Sequence, residues 1–431
     1  MRFQPDLVPA DAHKLLNRFI AIVGWNVWKK RFNELDQQRA QNIFLDDFIS
    51  DSFVIEKALQ QAAAYREKHN RWLIKRPDQI DYPMYKLLGF ASTTARVYAR
   101  LSLHGQSRLR GMLRDGLKND RGLSAIAFEM EVAGHLLRRG FDVQFHDLEH
   151  GKFDFIACLD GIEIEVECKR ASADVGRQIH RRRMAQLGGH FTRSWSGQLD
   201  DGGHFLRVTL PDRLHGEDQI MHAIAETAIL ALGMKSNFPG PTPCTVQYQS
   251  FNLAGTPLEG SVENINIETV HRFTEARFAV PNPQLLIMLQ PSRAALLMAV
   301  ESRKPDQMLK GLYRQLKTGA DQLSKNRPGI LCVLLADISG PQLIELANAE
   351  APTGLQVTTS ELLEAEHRRH LHTIAYMAQS DLVASNHILG SHIQRGMQAR
   401  GPTYTFKNRH HPAVADPRLD VFDLLRSSTV T

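Results

Sequence analysis

The sequence predicts an α/β fold with helical additions at both ends, and three observations predict it. A helix runs from Ser124 and hands over at Gly140 to a strand, Phe141 to Phe145. An alternating hairpin follows, centred on Asp160-Gly161. Much later an amphipathic helix, Pro305 to Leu323, leads into the apolar run Ile330 to Asp337, the pattern of an interior parallel strand.

Before these elements the chain reads as helical. Leu15, Leu16, Phe19, Ile20, Val23 and Val27 recur at helical spacing, so one helix from Asp11 through Trp28 is expected, with others around Phe53 to Tyr65 and Tyr85 to Leu103. Residues 1–118 are thus expected to form a separate helical domain. Its basic residues Arg96, Arg100, Arg108, Arg110, Arg114 and Lys118 gather toward the join, either as a solvated face or as a contact for a nucleic-acid backbone.

Composition bounds the class. The 431 residues are 43% hydrophobic and 23% charged, enough for two or three domains with their own cores. A net charge of +5 is a mild tilt toward an anionic partner. Cys158, Cys168, Cys244 and Cys332 form no CxxC pair and read as reduced, buried thiols of a cytoplasmic protein. No secretory segment is read at the N-terminus, and the longest apolar runs are too short to span a bilayer, so no membrane partner is expected.

In the helix from Ser124, Phe128, Val132, Leu136 and Leu137 make an apolar stripe, with Ser124 as the expected N-cap. Glu129 shares a face with apolar or small residues, and a carboxylate there needs a partner. Glu131 falls nearer the polar side and is the second choice for a functional acid.

The hairpin supplies the rest. Asp160 and Gly161 as the two turn residues fix a register in which facing residues have numbers that sum to 321, setting Asp154 opposite Glu167. Phe153, Phe155, Ala157, Leu159, Ile162, Ile164, Val166 and Cys168 then share one apolar side, and Asp154, Glu163, Glu165, Glu167 and Lys169 the other. Facing carboxylates repel unless a cation lies between them. Either this strand is a solvated, charged face, or Asp154 and Glu167 hold a divalent metal with oxygen ligands such as Mg²⁺.

This helix, strand, Asp-bearing strand, hairpin and Glu-x-Lys strand resemble the PD-(D/E)XK nuclease superfamily. Phe128-Glu129, Val132-Ala133, Leu136-Leu137 and Gly140-Phe141 are similar to the opening helix of its Mrr-type and Holliday-resolvase-like members. The resemblance covers about 50 residues, with Phe153 standing where the motif's name has Pro. It implies a restriction-endonuclease-like αβββαβ core. It also implies Glu129, Asp154, Glu167 and Lys169 as catalytic residues, and Mg²⁺ or Mn²⁺ held by Asp154, Glu167 and the Cys168 carbonyl, with Glu129 a direct or water-mediated ligand.

Beyond the hairpin a helix is expected from Asp174 to Leu187. Arg170, Arg177, Arg181, Arg182 and Arg183 are the candidates for phosphate contact. Gly188 to Gly203 reads as a loop, Phe205 to Leu210 as a strand and Asp218 to Leu232 as a helix. Two strand-like runs, Thr245 to Asn252 and Asn264 to Val270, suggest a β-containing insertion at about 190–300 within a nuclease domain of residues 119–345. The core's last helix and strand are then either Pro305 to Asp337, with Gln322 and Lys325 near the site, or Asp174 to Leu210.

Residues 346–431 are expected to be a helical segment, with Ser360 capping a helix through His372, and a polar tail after Gly401. His367, His370 and His372 have no accompanying cysteines, which argues against zinc. The expected function is a metal-dependent nuclease acting on nucleic acid, DNA first, in phage defence, restriction or DNA repair by analogy with where such nucleases occur. The alternative is a non-catalytic nucleic-acid-binding module, or a complex subunit that keeps the fold. Homo-oligomers or partner subunits would engage the terminal helices.

Overall fold

Gly24 ends the first helix, because its φ of +99° is a left-handed conformation that a helix cannot continue through. The single helix expected from Asp11 to Trp28 is therefore two. The computed structural model describes residues 9–70, 72, 80–120, 122–149, 151–172, 174–238, 244–259, 265–281, 283–290, 293–379, 381–389 and 392–422.

Helices α1 (Pro9–Val23), α2 (Trp25–Gln41), α3 (Leu45–Ser52), α4 (Val54–His69), α5 (Tyr82–Tyr98), α6 (Leu103–Lys118) and α7 (Ser124–Arg138) come first. Strand β1 (Asp142–Phe145), the one-turn helix α8 (His146–Glu149), and strands β2 (Phe155–Leu159) and β3 (Ile162–Ala171) follow. Next are α9 (Arg181–Ser194), β4 (Gly202–Leu210), α10 (Asp218–Met234), β5 (Thr245–Phe251), α11 (Ile267–Phe278), β6 (Gln284–Gln290) and β7 (Ala294–Ser302). The last are α12 (Met308–Gln322), β8 (Gly329–Ser339), α13 (Gly340–Asn348), α14 (Gly354–Leu363), β9 (Leu371–Gln379), β10 (Asp381–Leu389), β11 (His392–Arg400) and β12 (Thr403–Lys407).

The chain divides into two compact units, one of residues 1–34, 52–175 and 309–431, the other of residues 35–51 and 176–308. This differs from the expected boundaries at 118 and 345, for a reason that lies in the core. Apolar residues of the N-terminal helices, such as Phe19, Trp28, Leu59 and Leu87, share one buried cluster with Phe128 and Val132 of α7 and with Phe155, Ile164 and Val166 of the hairpin. Apart from residues 35–51, which hold the end of α2 and most of α3, the N-terminal helices are thus part of the unit that holds the hairpin.

A six-stranded mixed sheet in the order β1-β2-β3-β8-β9-β12 organises the first unit. β8 pairs in parallel with both β3 and β9, and the other neighbours are antiparallel. Buried on both sides, β8 is a continuous apolar run in which Ile330, Leu331, Cys332 and Val333 are fully enclosed. On one side of the sheet lies the helical cluster described above. On the other, Leu312, Leu316 and Ala320 of α12 pack with Leu331, Val333, Ile374 and Tyr376.

Because β8 pairs with β3, the helix and strand that follow the hairpin in this sheet are α12 and β8. The alternative using Asp174 to Leu210 is excluded, since β4 belongs to another sheet. The C-terminal segment is also corrected. Thr353, not Ser360, caps α14, which stops at Leu363, and the residues beyond form β9 to β12. A buried strand such as Leu371–Gln379 lacks the period that separates strand from helix, and its partner β8 is remote in sequence.

In the second unit the sheet order is β5-β4-β7-β6. One apolar cluster joins Leu206 and Val208 of β4 to α9 and α10, and another joins Phe205 to Val270 and Phe278 of α11. Three expectations change here. The helix expected from Asp174 begins at Arg181 and continues through the expected loop to Ser194. Part of the strand expected over Asn264 to Val270 is the start of α11, capped by Asn266, while residues 260–264 lie outside the described residues. The proline-rich stretch at 239–243 lies outside them as well. Among the described residues no helix is long and apolar enough to cross a membrane.

Candidate metal centre

The hairpin turn has the predicted chemistry. Asp160 and Gly161 have φ of +48° and +78°, the pair of left-handed conformations that a two-residue type I′ turn requires. The register follows, with Leu159 facing Ile162 and Phe155 facing Val166. Residues 152–154 bend before β2 begins, and Phe153 leaves the expected apolar side. It packs instead with Leu331, Val333 and Tyr376 on the opposite side of the sheet.

That bend gives Asp154 its position. One carboxylate oxygen, Oδ2, accepts the backbone N–H of Cys168 at 2.6 Å. The Asp154 carbonyl accepts the N–H of His146 at 2.9 Å and that of Asp147 at 3.4 Å, so α8 is tied to the base of the hairpin. The His146 ring stacks on Phe153, with centroids 4.2 Å apart.

On β3 three alternating carboxylates have three environments. Glu163 is exposed and pairs with Arg327. Glu165 is fully buried, and accepts from the Ser324 backbone N–H at 2.7 Å, from the Ser324 hydroxyl and from Arg327. Glu167 is 1% exposed; its Oε1 accepts from Lys169 Nζ, and its Oε2 has no hydrogen-bond partner among the described residues. The face is therefore enclosed, not solvated, from Glu165 onward.

Lys169 Nζ also donates to Gln322 Oε1, at the end of α12, and Gln322 Nε2 reaches the Lys152 carbonyl at 3.4 Å. Gly319, one turn earlier, makes room for the lysine. A Cβ at that position would lie 3.1 Å from Lys169 Cγ and 2.6 Å from Leu331 Cδ1.

Glu129 projects from α7 into the same region. One ligand oxygen each from Glu129, Asp147 and Asp154 lie within 4.8 Å of one another. Burial pushes the Glu129 and Asp154 carboxyls well above the usual range, and the neighbouring carboxylates push them further. Burial also raises Glu167, against the pull of Lys169, and lifts Asp147 to about 6, against the Leu148 N–H and Arg108. Such a concentration of buried negative charge is the condition that a divalent cation relieves.

The structure thus gathers Glu129, Asp154, Glu167 and Lys169, with Cys168 contributing the N–H that orients Asp154. Glu131 faces away and pairs with Lys86. Arg170 is half-buried at the end of β3. Arg177, Arg181, Arg182 and Arg183 belong to the second unit, where Arg181 pairs with Asp51 and Arg183 bonds Gln186. Lys325 takes a left-handed backbone conformation in the turn after α12.

Asp147 is the residue that sequence reasoning missed. Its one signal was an acid just past the strand that ends at Phe145, at the open end of the hairpin. His367, His370 and His372 form no comparable group among the described residues. Compared with protein-family models, with curated proteins and with solved structures, the chain matches none.

Proposed function

We propose that this protein is a metal-dependent nuclease that hydrolyses phosphodiester bonds of DNA, with RNA as the second substrate to test. One observation carries the reading: Glu129 of α7 lies within the charge field of Asp154, Glu167 and Lys169 from the hairpin, and Glu167 Oε2 is buried with no hydrogen-bond partner among the described residues. The order α7-β1-β2-β3 followed by α12-β8 in one sheet adds support, being the order expected of a restriction-endonuclease-like core.

The donors fit Mg²⁺ or Mn²⁺, since all are hard oxygens and the orphaned Oε2 lacks the partner that an ion would be. Asp154, Glu167 and Glu129 would hold it, together with the Cys168 carbonyl that the resemblance implies. When bound, such an ion polarises a phosphoryl oxygen and makes water a stronger nucleophile.

The chain's own residues do the rest. Lys169, fixed between Glu167 and Gln322, presents a cation to charge developing on the phosphoryl group. Asp154 is held in one orientation by the Cys168 N–H, which keeps its second oxygen available. The basic balance of the chain favours a polyanionic substrate.

The test is incubation with linear duplex, circular and single-stranded DNA and with RNA, in Mg²⁺, Mn²⁺ or EDTA. Cleavage should require the metal, and Asp154→Ala or Lys169→Ala should each slow it by about a hundredfold or more. Cleavage indifferent to both substitutions would remove the site assignment. Binding without cleavage would favour a non-catalytic nucleic-acid-binding module.

A further inference from the structure

Strand β6 is built for the middle of a sheet yet lies at its edge. Its residues, Gln284 to Gln290, are all uncharged, and those between the two glutamines are Leu, Leu, Ile, Met and Leu. Leu285, Ile287 and Leu289 pack on the cluster around Phe205 and Phe278, whereas Leu286 and Met288 pack on the opposite side with α9 and α10. Apolar residues on both faces are the pattern of an interior strand. Yet only β7 pairs with β6, in unbroken register from Gln284 opposite Val300 to Gln290 opposite Ala294.

The outer edge is open. Outside the ladder with β7, the one backbone bond found for β6 among the described residues joins the Gln290 carbonyl to the Arg293 N–H within the turn. Every residue of the strand except Leu286 is half-exposed. The other edge of the same sheet is covered: Phe238 and Val246 exchange two backbone bonds, of 2.8 and 3.0 Å, alongside β5, whose Gln247, Gln249 and Ser250 are polar and exposed. Edges that must stay unpaired carry charge, proline or a bulge. Gln284 to Gln290 carries none of these, so a further strand is the partner it fits.

The residues themselves indicate which strand. Pro283-Gln-Leu-Leu-Ile-Met-Leu-Gln-Pro291 reads almost the same in both directions about Ile287, and its one unlike pair, Leu286 and Met288, is close in volume. Facing residues of an antiparallel pair point their backbone groups the same way, both toward or both away from each other. A strand that pairs with its own copy therefore turns about a residue, not about a peptide bond. Turning about Ile287 sets Gln284 opposite Gln290, Leu285 opposite Leu289, Leu286 opposite Met288 and Ile287 opposite itself. Apolar then meets apolar at each inner step, no like charges face each other, and the flanking prolines, which lack an N–H, limit the ladder at both ends.

We propose that β6 pairs with β6 of a second copy of this chain, antiparallel and centred on Ile287, joining two four-stranded sheets into one of eight strands. The contact adds about six to eight backbone hydrogen bonds, two for each residue that points outward. It also lets the apolar clusters on both faces continue across the two-fold axis. Because the contact is self-complementary it closes at a dimer, which is how an apolar edge is kept from recruiting further chains. The pairing is independent of the candidate metal centre.

Sedimentation velocity of the full chain at micromolar concentration should give about twice the 48.6 kDa of one chain. Ile287→Lys sets two ammonium groups opposite each other at the axis and should raise the dissociation constant by about a hundredfold or more, while mixing it with Ile287→Glu should restore the dimer. Ile287→Cys should cross-link under mild oxidation. Gln290→Cys should not, because its two copies lie about 20 Å apart in this register. Circular dichroism and thermal unfolding show whether the lysine variant folds, and if it does not, the two cysteine variants decide.

A monomer at every concentration overturns the proposal, and so does a monomer that takes up a strand-forming peptide of another sequence at β6. A dimer that survives Ile287→Lys, or that cross-links through Gln290→Cys and not through Ile287→Cys, overturns the assignment of edge and register.

Discussion

Glu163, Glu165 and Glu167 alternate on one strand with the same chemistry, yet their surroundings differ: Glu163 makes an exposed pair with Arg327, Glu165 is buried against Ser324 and Arg327, and Glu167 is buried against Lys169 of its own strand. Glu165 is the structural member, because it holds the Ser324 N–H and hydroxyl and Arg327 in the turn that follows α12. Removing a buried acceptor of that kind strands its donors. Glu165→Ala is expected to cost about 2–4 kcal/mol in urea unfolding, and Glu163→Ala, at an exposed pair, less than about 1 kcal/mol. Equal losses would contradict the division of roles. Asp154, Glu167 and Lys169 were legible in the sequence because an Asp-Gly turn fixes register locally. The fate of Glu165 was not, since its partners Ser324 and Arg327 arrive from more than a hundred residues away.

Helix ends carry the next scale. Ser124 was expected to cap α7, but the N-cap position is Leu123, which has no side chain able to do so. Glu56 of α4 acts in its place, its Oε1 accepting the Leu123 N–H at 3.2 Å while Gly122 leaves room for the carboxylate. Burial raises the Glu56 carboxyl to about 7, although its own N–H, Arg31 and the Leu123 N–H oppose the shift. A carboxyl raised in the folded state contributes stability that is complete below its unfolded value of about 4.5 and is lost as pH rises through about 7. Glu56→Gln keeps an acceptor for Leu123 and removes the ionisation. Urea unfolding across pH 5–8 should therefore fall less steeply for the variant than for the wild type, by about 1–3 kcal/mol at pH 8. Parallel curves would place the titration elsewhere. The break at Gly24 was equally hidden, because apolar spacing runs through it and only a left-handed φ marks it.

At the scale of the molecule, the sheet that carries the site is assembled from three distant stretches, ending with β9 and β12. Local pattern revealed β2, β3 and β8, while the pairing of β8 with β9 depends on contacts no local pattern encodes. A chain ending at residue 345 would lose β9 and β12, uncovering one edge of β8 and depriving Leu331 and Val333 of Ile374 and Tyr376. Loss of a cooperative thermal transition is the expected outcome, and a native-like transition would make the C-terminal strands dispensable. The same long-range assembly sets Gly319 against the Lys169 stem, with about 150 residues between them in the chain. A lysine side chain left free would surrender about 2 kcal/mol of rotamer entropy on taking up one geometry. Here much of that ordering is complete when the protein folds, so under the proposed function the ammonium group would meet a phosphodiester already aimed, and glycine at 319 would govern a rate through disorder that never has to be removed.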